Sequence, residues 1–406
     1  MFRANRFSAA KPAGTALRGL SGGLGPCAAG HRDRQPPLKD YCRGLLLPGQ
    51  RKSIEPIAAR LHPDRVQAAR QSLQHLVSTA PWSDEAVLAA VVRQVLPAMT
   101  RKQPVVAWIV DDTGIPKKGK HSVGVARQYC GQLGKQDNCQ VAVTLSLATW
   151  EASLPVAWRL YLPREWAEDR ARRRRAGVPE EIEFQTKPEI ALDQIARALD
   201  SGLPCGVVLA DAGYGSDTRF RERLAEMGLQ YGVGAEGSAR ELVIEMGQGA
   251  LRRVAWREGS NRKLQSRFVA VRVRPAHRDY WRAEPHEELW LLAEWPPGSA
   301  EPTKYWLADL PAETTLEELV RLARHRWIVE RDYLELKQEL GLGHFEGRSW
   351  RGFHHHATLC IAAYGFLVAE RSLFSPSARA GRLELAGAEL PADYRLRGSA
   401  GAGAEA

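Results

Sequence analysis

Between Asp40 and Met99, apolar residues return every three or four positions, in SIEPIAARL, DRVQAARQSLQHLV and SDEAVLAAVVRQVL. That is the spacing of helices that bury one face. Ser83, with Glu85 ahead of the next apolar run, supplies a helix start. Past Pro104 the pattern changes. VVAWIV is a short unbroken apolar run ending at Asp111-Asp112, as expected of a strand buried on both faces. A basic loop, IPKKGKHSVGVARQYCGQLGK, leads to strands near CQVAVTLSLAT and PVAWRLYLP. A charged loop, REWAEDRARRRRAG, then precedes a helix (PEIALDQIARALDSG), a strand (GVVLAD), a helix (DTRFRERLAEMG) and a strand (QYGVGA). The order β-β-β-α-β-α-β implies three antiparallel strands followed by alternating units, an α/β class.

From Glu236 to Leu310 the segments ELVIEM, LRRVAWR, RFVAVRVRP and EELWLLAEW alternate like strands, so this stretch reads as an all-β insertion. Thr314-Thr315 with Glu317 and Glu318 then caps a long helix through LVRLARHRWIVERDYLELKQEL, which Gly341 ends. A last helix runs near HHHATLCIAAYGFLVAERSLF. Residues 1–36, rich in Gly and Ala with no acid before Asp33, read as a disordered leader. Residues 375–406 read as a flexible tail.

Composition narrows the class. A chain of 406 residues with 44% hydrophobic and 26% charged residues is ordinary for a globular protein of two or three domains. No stretch approaches the ~18–20 uncharged apolar residues of a membrane span. Lys and Arg exceed Asp and Glu by 57 to 47, a net charge of +10, which favours polyanionic partners and nucleic acid first. The 6 cysteines form no C-x-x-C pair, which speaks against a zinc finger or a disulfide framework. No G-x-x-x-x-G-K-[ST] occurs, which speaks against a nucleotide-driven motor.

Three carboxylate positions carry chemistry. Asp111 and Asp112 end the first core strand, Asp211 ends the short strand in LADAGYG, and Glu330 sits on the long helix. Strand-end carboxylates converge at one sheet edge, and a helix across the sheet adds a third. Such a set suits Mg²⁺, a hard cation bound by oxygen. Two such ions hold the attacking and leaving oxygens of a phosphodiester exchange. Lys117, Lys118, Lys120, His121 and Arg127 form a phosphate track beyond Asp111. Arg326, Glu330, Tyr333 and Lys337, at spacings of four, three and four, share a helix face. Asp112-Thr113-Gly114 and Asp200-Ser201-Gly202 imitate the aspartic-protease pair, but Asp200 ends a helix and the first triplet runs into lysines. His354-His355-His356 point in different directions on a helix and read as DNA-facing or surface positions.

The segments Asp111–Val143, Leu160–Pro179, Val207–Gly215 and His325–His356 carry a specific resemblance, which extends over nearly everything from Tyr41 to Leu373. The sequence resembles bacterial insertion-sequence transposases of the DDE type, which share the RNase H-like fold with retroviral integrases. The resemblance implies an RNase H-like mixed sheet core over 104–235 and 311–374, a helical DNA-binding domain over 37–103 and the β insertion over 236–310. The DDE residues carry over to Asp111, Asp211 and Glu330, with Asp112 as the alternative first ligand. Two Mg²⁺ ions, replaceable by Mn²⁺, are the implied cofactor. The family's Tyr-x2-Arg-x3-Glu-x6-Lys helix signature finds Arg326, Glu330 and Lys337, with Ala323 in place of the Tyr. Trp306 is a candidate to stack on a flipped base, or else a core residue. Lys117, Lys118, Lys120, Arg127, Arg172, Arg173, Arg174, Arg175, Arg326 and Lys337 are the expected DNA contacts. The implied activity is cutting of element ends and joining of the 3′-hydroxyls to target DNA. The implied partners are double-stranded terminal repeats and target DNA, with self-association on DNA, in the bacterial cytoplasm at the nucleoid. A non-cutting DNA-binding regulator is the alternative.

Overall fold

Pro36 and Pro37 stand in the first turn of helix α1 (Gln35–Leu46), where a missing N–H costs nothing. The computed structural model describes residues 31–235, 239–258, 263–275 and 286–374. A 3₁₀ turn at Arg32–Arg34 already precedes α1, so the expected disordered leader overruns at its end. Residues 1–30 and the expected tail at 375–406 lie outside the described residues. Helices α2 (Ile54–Leu61), α3 (Val66–Ser78) and α4 (Asp84–Met99) follow. Ser83 caps α4, its hydroxyl accepting from the Ala86 N–H at 3.0 Å. One hydrophobic cluster joins this helical segment to the sheet and to the closing helix, through Leu45, Val91, Val110, Leu145 and Ile361. The helices are therefore packed on the core.

The core strands are β1 (Ala107–Pro116), β2 (Ala126–Cys130), β3 (Lys135–Ala148), β4 (Ser153–Leu160), β5 (Val207–Ala210) and β6 (Tyr231–Ala235). β3 pairs antiparallel with β1 and with β4, and β5 lies parallel to β1 and to β6. With β2 set aside, the order β4-β3-β1-β5-β6 is that of an RNase H-like core. β1 does not end at Asp111-Asp112 as expected but stays paired with β3 as far as Pro116, and two further segments read as loops are structured. ARQYC forms β2 and pairs with Lys135–Cys139; one of its faces is exposed, so no apolar alternation announces it. The arginine-rich stretch forms two short helices, α5 (Arg164–Ala167) and α6 (Arg170–Ala176). Asp169 caps α6, and Gly177, at φ 63°, ends it in the left-handed region that glycine adopts without penalty.

Helices α7 (Lys187–Asp200), α8 (Ala212–Gly215) and α9 (Thr218–Glu226) complete the alternating half. The insertion is not all β. ELVIEM lies in helix α10 (Ala239–Met246), which packs Val243 into a small cluster with Leu291 and Trp295. Strands β7 (Arg252–Glu258), β8 (Lys263–Val273), β9 (Leu289–Glu294) and β10 (Lys304–Asp309) then run as a meander. β10 pairs antiparallel with β6, so among the described residues the insertion extends the core into a 10-stranded mixed sheet.

The long helix is two. α11 (Leu316–His325) starts at a capping box between Thr315 and Glu318, and α12 (Trp327–Gln338) follows after the single residue Arg326. Gly341, at φ 72°, turns the chain into α13 (Trp350–Leu373). Among the described residues no helix is long and apolar enough to cross a membrane.

Candidate active site

The register of the central strands decides what meets. β1 pairs with β5 through Ala107–Val207 and Ile109–Leu209. Two residues further, the same register sets Asp111 level with Asp211. Asp111 lies within β1, opposite Thr144 of β3, and is 8% exposed. Asp211 stands just past β5 as the N-cap of α8, its Oδ1 accepting from the Gly213 N–H at 2.9 Å. Glycines hold that cap close to the sheet. A Cβ on Gly215 would lie 2.0 Å from the Gly234 carbonyl, and one on Gly234 would lie 2.5 Å from the Ala212 nitrogen. The ADAGYG and GVGA runs therefore let backbone pack on backbone, which fixes the Asp211 carboxylate at the strand edge.

Arg326, at the break between α11 and α12, faces both carboxylates. Its Nη1 lies 2.9 Å from Asp111 Oδ1 and its Nη2 lies 3.9 Å from Asp211 Oδ2. Burial works against the guanidinium charge, and the two aspartates outweigh it, holding its pKa above the ordinary value. Burial pushes the Asp111 carboxyl up to about 7; Arg326 opposes this, while Asp211 and Asp112 add to it. Asp112, one residue along, instead pairs with Lys187 Nζ of α7 at 2.7 Å. Alternation along the strand thus gives the two neighbours different partners.

Glu330 is exposed on α12, one turn beyond Arg326, and adds to the negative field on that guanidinium. It does not join the aspartates in a closed set. Among the described residues no three His, Cys, Asp or Glu gather as a metal cluster. The donor set still fits a hard divalent cation. Two oxygen-donor carboxylates converge on one positive charge, and Glu330 stands beside it. The Tyr214 hydroxyl, buried under the aspartates, has no hydrogen-bond partner among the described residues.

Two residues support the site from α12. The Tyr333 hydroxyl hydrogen-bonds Thr144, the strand partner of Asp111. Lys337 Nζ donates to the Gly114 carbonyl of β1 at 2.8 Å, and burial lowers its pKa. Lys337 and Arg326 are thus engaged with β1 and the aspartates, rather than standing open to DNA. Lys117 is also tied: its Nζ donates to the Phe345 carbonyl at 2.7 Å, and burial pushes it down to about 8. Lys118, Lys120 and Arg127 are exposed. In the arginine run, Arg172 covers the Trp166 ring at 3.9 Å and Arg173 donates to the carbonyls of Ala167, Pro179 and Glu180. Arg174 and Arg175 are exposed.

Two expectations need correction. Trp306 is 9% exposed and buried with Val254, Phe268 and Leu292, so it is a core residue and offers no ring face to a base. The three consecutive histidines are buried clamps. His354 accepts from the Leu160 N–H at 3.2 Å, His355 stacks on Trp82 at 3.6 Å, and His356 bonds the Tyr41 hydroxyl at 2.8 Å. Burial pushes His355 and His356 down to about 4, which leaves them neutral and unsuited to phosphate. Reasoning from the sequence also missed Tyr214, and it placed Tyr333 on the helix face without giving it a role. Their signals were present, in ADAGYG beside Asp211 and in the helix face shared with Arg326.

Comparison with known proteins matches residues 23–240 to a DDE superfamily endonuclease model and residues 186–366 to a transposase DDE domain. A probable transposase for insertion sequence element IS701, from Microchaete diplosiphon, is 29% identical over 307 residues, covering 74% of each chain. Among solved structures, the piggyBac transposase synaptic complex with hairpin DNA is similar over 88% of this chain and 77% of that chain, at 10% identity and a TM-score of 0.39. At that score the likeness adds nothing to the topology traced above.

Proposed function

The chain belongs to the insertion-sequence transposases of the DDE superfamily, and from that membership we propose that it cuts DNA at the ends of its element and joins the freed 3′-hydroxyls to target DNA. The observation that carries this reading is the pairing of Asp111 and Asp211, level on adjacent parallel strands and facing one guanidinium. Asp111 and Asp211 would hold divalent metal, with Glu330 as the third carboxylate. When bound, such ions would act as Lewis acids on the phosphodiester being exchanged. The protein's own work is positional. The Gly213 N–H orients the Asp211 carboxylate, and the Lys337 bond to Gly114 ties α12 to the strand carrying Asp111. Arg326 balances the aspartate charges until cations or substrate phosphates redistribute them. Lys118, Lys120, Arg174 and Arg175 hold DNA phosphates, which positions the duplex without reading it. No Ser or Tyr nucleophile is required, because water and then the 3′-hydroxyl attack phosphorus.

The test is a strand-cleavage assay on a plasmid bearing the ends of the element that encodes this chain, with and without Mg²⁺. The reading predicts Mg²⁺-dependent breaks at the ends, lost in Asp211→Asn. Binding to the ends with no cleavage under any divalent metal would overturn it in favour of a regulator.

A further inference from the structure

The paired segments of β2 and β3 form a ribbon that extends beyond the catalytic strand. β1 ends at Pro116, opposite Cys139, while β3 continues back to Lys135 paired with β2. Gly134, at φ 64°, closes the turn between them. Because β1 runs towards Pro116, the ribbon projects on the side of the sheet where Asp211 ends its strand. Asp111 stands opposite Thr144, and Gln136 lies eight residues further along β3. At ~3.4 Å per residue the separation is about 27 Å, less than the ~34 Å of one DNA turn.

The two faces of the ribbon differ. On one, Cys130 and Cys139 are buried with Val141. On the other, Arg127 and Tyr129 stand opposite Asn138 and Gln136, and directly opposed residues of an antiparallel pair share a face. Arg127 and Gln136 are exposed, and Tyr129 is 61% exposed, a large ring left in solvent. Asn138 hooks the basic loop to the ribbon, its Nδ2 donating to the carbonyls of Lys117 at 2.6 Å and Gly119 at 3.0 Å. From Lys117 to Cys139 there are five Lys or Arg against one acid, Asp137, which pairs with Lys135 at 3.3 Å.

We infer that this ribbon enters the major groove of duplex DNA within one turn of the cut phosphate and reads bases there. The groove admits a two-stranded β-ribbon, and Arg and Gln are the side chains that bond guanine and adenine edges bidentately. Tyr129, between them, supplies apolar contact to a thymine methyl. Lys118 and Lys120 flank the ribbon as phosphate contacts, which fix register without carrying sequence. The inference rests on the proposed cutting of DNA ends and adds to it a reader of sequence outside the metal site.

The test uses the full chain and a panel of duplex element ends in which each base pair is replaced singly, with affinities measured by fluorescence anisotropy. Wild-type protein discriminates at a few adjacent positions within one turn of the cut. Arg127→Ala and Gln136→Ala each flatten the preference at one or two of those positions by about 10-fold or more. Gln136→Ala leaves the salt dependence unchanged, whereas the Lys118→Ala, Lys120→Ala double variant lowers it at every sequence. Wild type that cuts the ends, with discrimination unchanged in the Arg127 and Gln136 variants, would overturn the ribbon assignment and leave the proposed function standing. Loss of self-association in those variants with unchanged discrimination would overturn it in favour of a contact between copies. Wild type that neither binds nor cuts the ends would overturn both readings.

Discussion

Helix α12 and its N-terminal junction touch two buried carboxylates with opposite fates. At the sheet edge, Asp111 faces Asp211, 43% exposed at its side chain, and both look to Arg326. Two turns into the helix, Asp332 is sealed, accepting hydrogen bonds from the Ser153 hydroxyl and from the Tyr364 hydroxyl at 2.5 Å. Burial pushes each of these carboxyls, Asp111 and Asp332, up to about 7. A raised pKa therefore does not distinguish the carboxylate proposed as a metal ligand from a structural one. Company does. Asp332 is satisfied by neutral hydroxyls and has no path to a ligand, whereas Asp111 sits with a second carboxylate and a cation at an open edge.

The largest effect separates the two by activity. Asp111→Asn and Asp211→Asn should each lower cleavage of element ends by at least ~100-fold, because bound metal supplies several kcal/mol to the transition state. Asp332→Asn should stay within a few-fold of wild type. Comparable losses in all three, measured on protein with unchanged circular dichroism, would erase the distinction.

Removal of the bridging cation comes next. Arg326→Ala leaves the aspartates without a counter-charge and should cost up to about 3 kcal/mol of stability in metal-free buffer at pH 8. This is the low end for a broken buried pair, since Asp111 can take up a proton instead. Added Mn²⁺ should raise the melting temperature of the variant more than that of wild type. Equal shifts would show that Arg326 does not compensate the site.

The sealed carboxylate is read by pH. Its folded-state pKa is about 7 against an ordinary 3.8. Between these values the unfolded chain is ionised while the folded chain keeps its proton, so the native state binds more protons and stability falls as pH rises. Below 3.8 and above about 7 this contribution is flat. Asp332→Asn should remove a drop on the order of a few kcal/mol across that window, roughly halving the total slope, since Asp111 contributes a comparable one. Denaturation midpoints that fall with pH as steeply in the variant would show that Asp332 is ionised throughout.

The smallest effect concerns the arginine run. Each lost phosphate contact lowers the salt slope of DNA binding by roughly 0.9, so the Arg174→Ala, Arg175→Ala pair should lower it by about twice that. Arg173→Ala should instead lower thermal stability, because that side chain holds the carbonyls of Ala167, Pro179 and Glu180. An inverted pattern would exchange the two roles.

Strands whose burial is two-sided were legible in the sequence: VVAWIV and GVVLAD read as continuous apolar runs, and the second placed Asp211 at its end, whereas β1 continues past Asp111 to Pro116 because its pairing with β3 outlasts the apolar run. Caps were legible where a side chain does the capping, as at Ser83 and Thr315. What escaped depends on tertiary contacts. ELVIEM alternates like a strand, yet buries little beyond Val243 and becomes helix. Neither periodicity nor charge separates Arg173 from Arg174, because only the folded loop offers one of them carbonyls. The choice between Asp111 and Asp112 likewise required the partner across the strand, since both faces of VVAWIVDD are apolar.

The central claim is that Asp111 and Asp211, and not Asp112, hold the metal. Calorimetric titration of Mn²⁺ into the full chain bound to its element-end duplex tests it most directly. The account predicts binding in wild type and in Asp112→Asn, and its loss in Asp111→Asn and in Asp211→Asn. Undiminished binding in Asp111→Asn, with loss in Asp112→Asn, would contradict it.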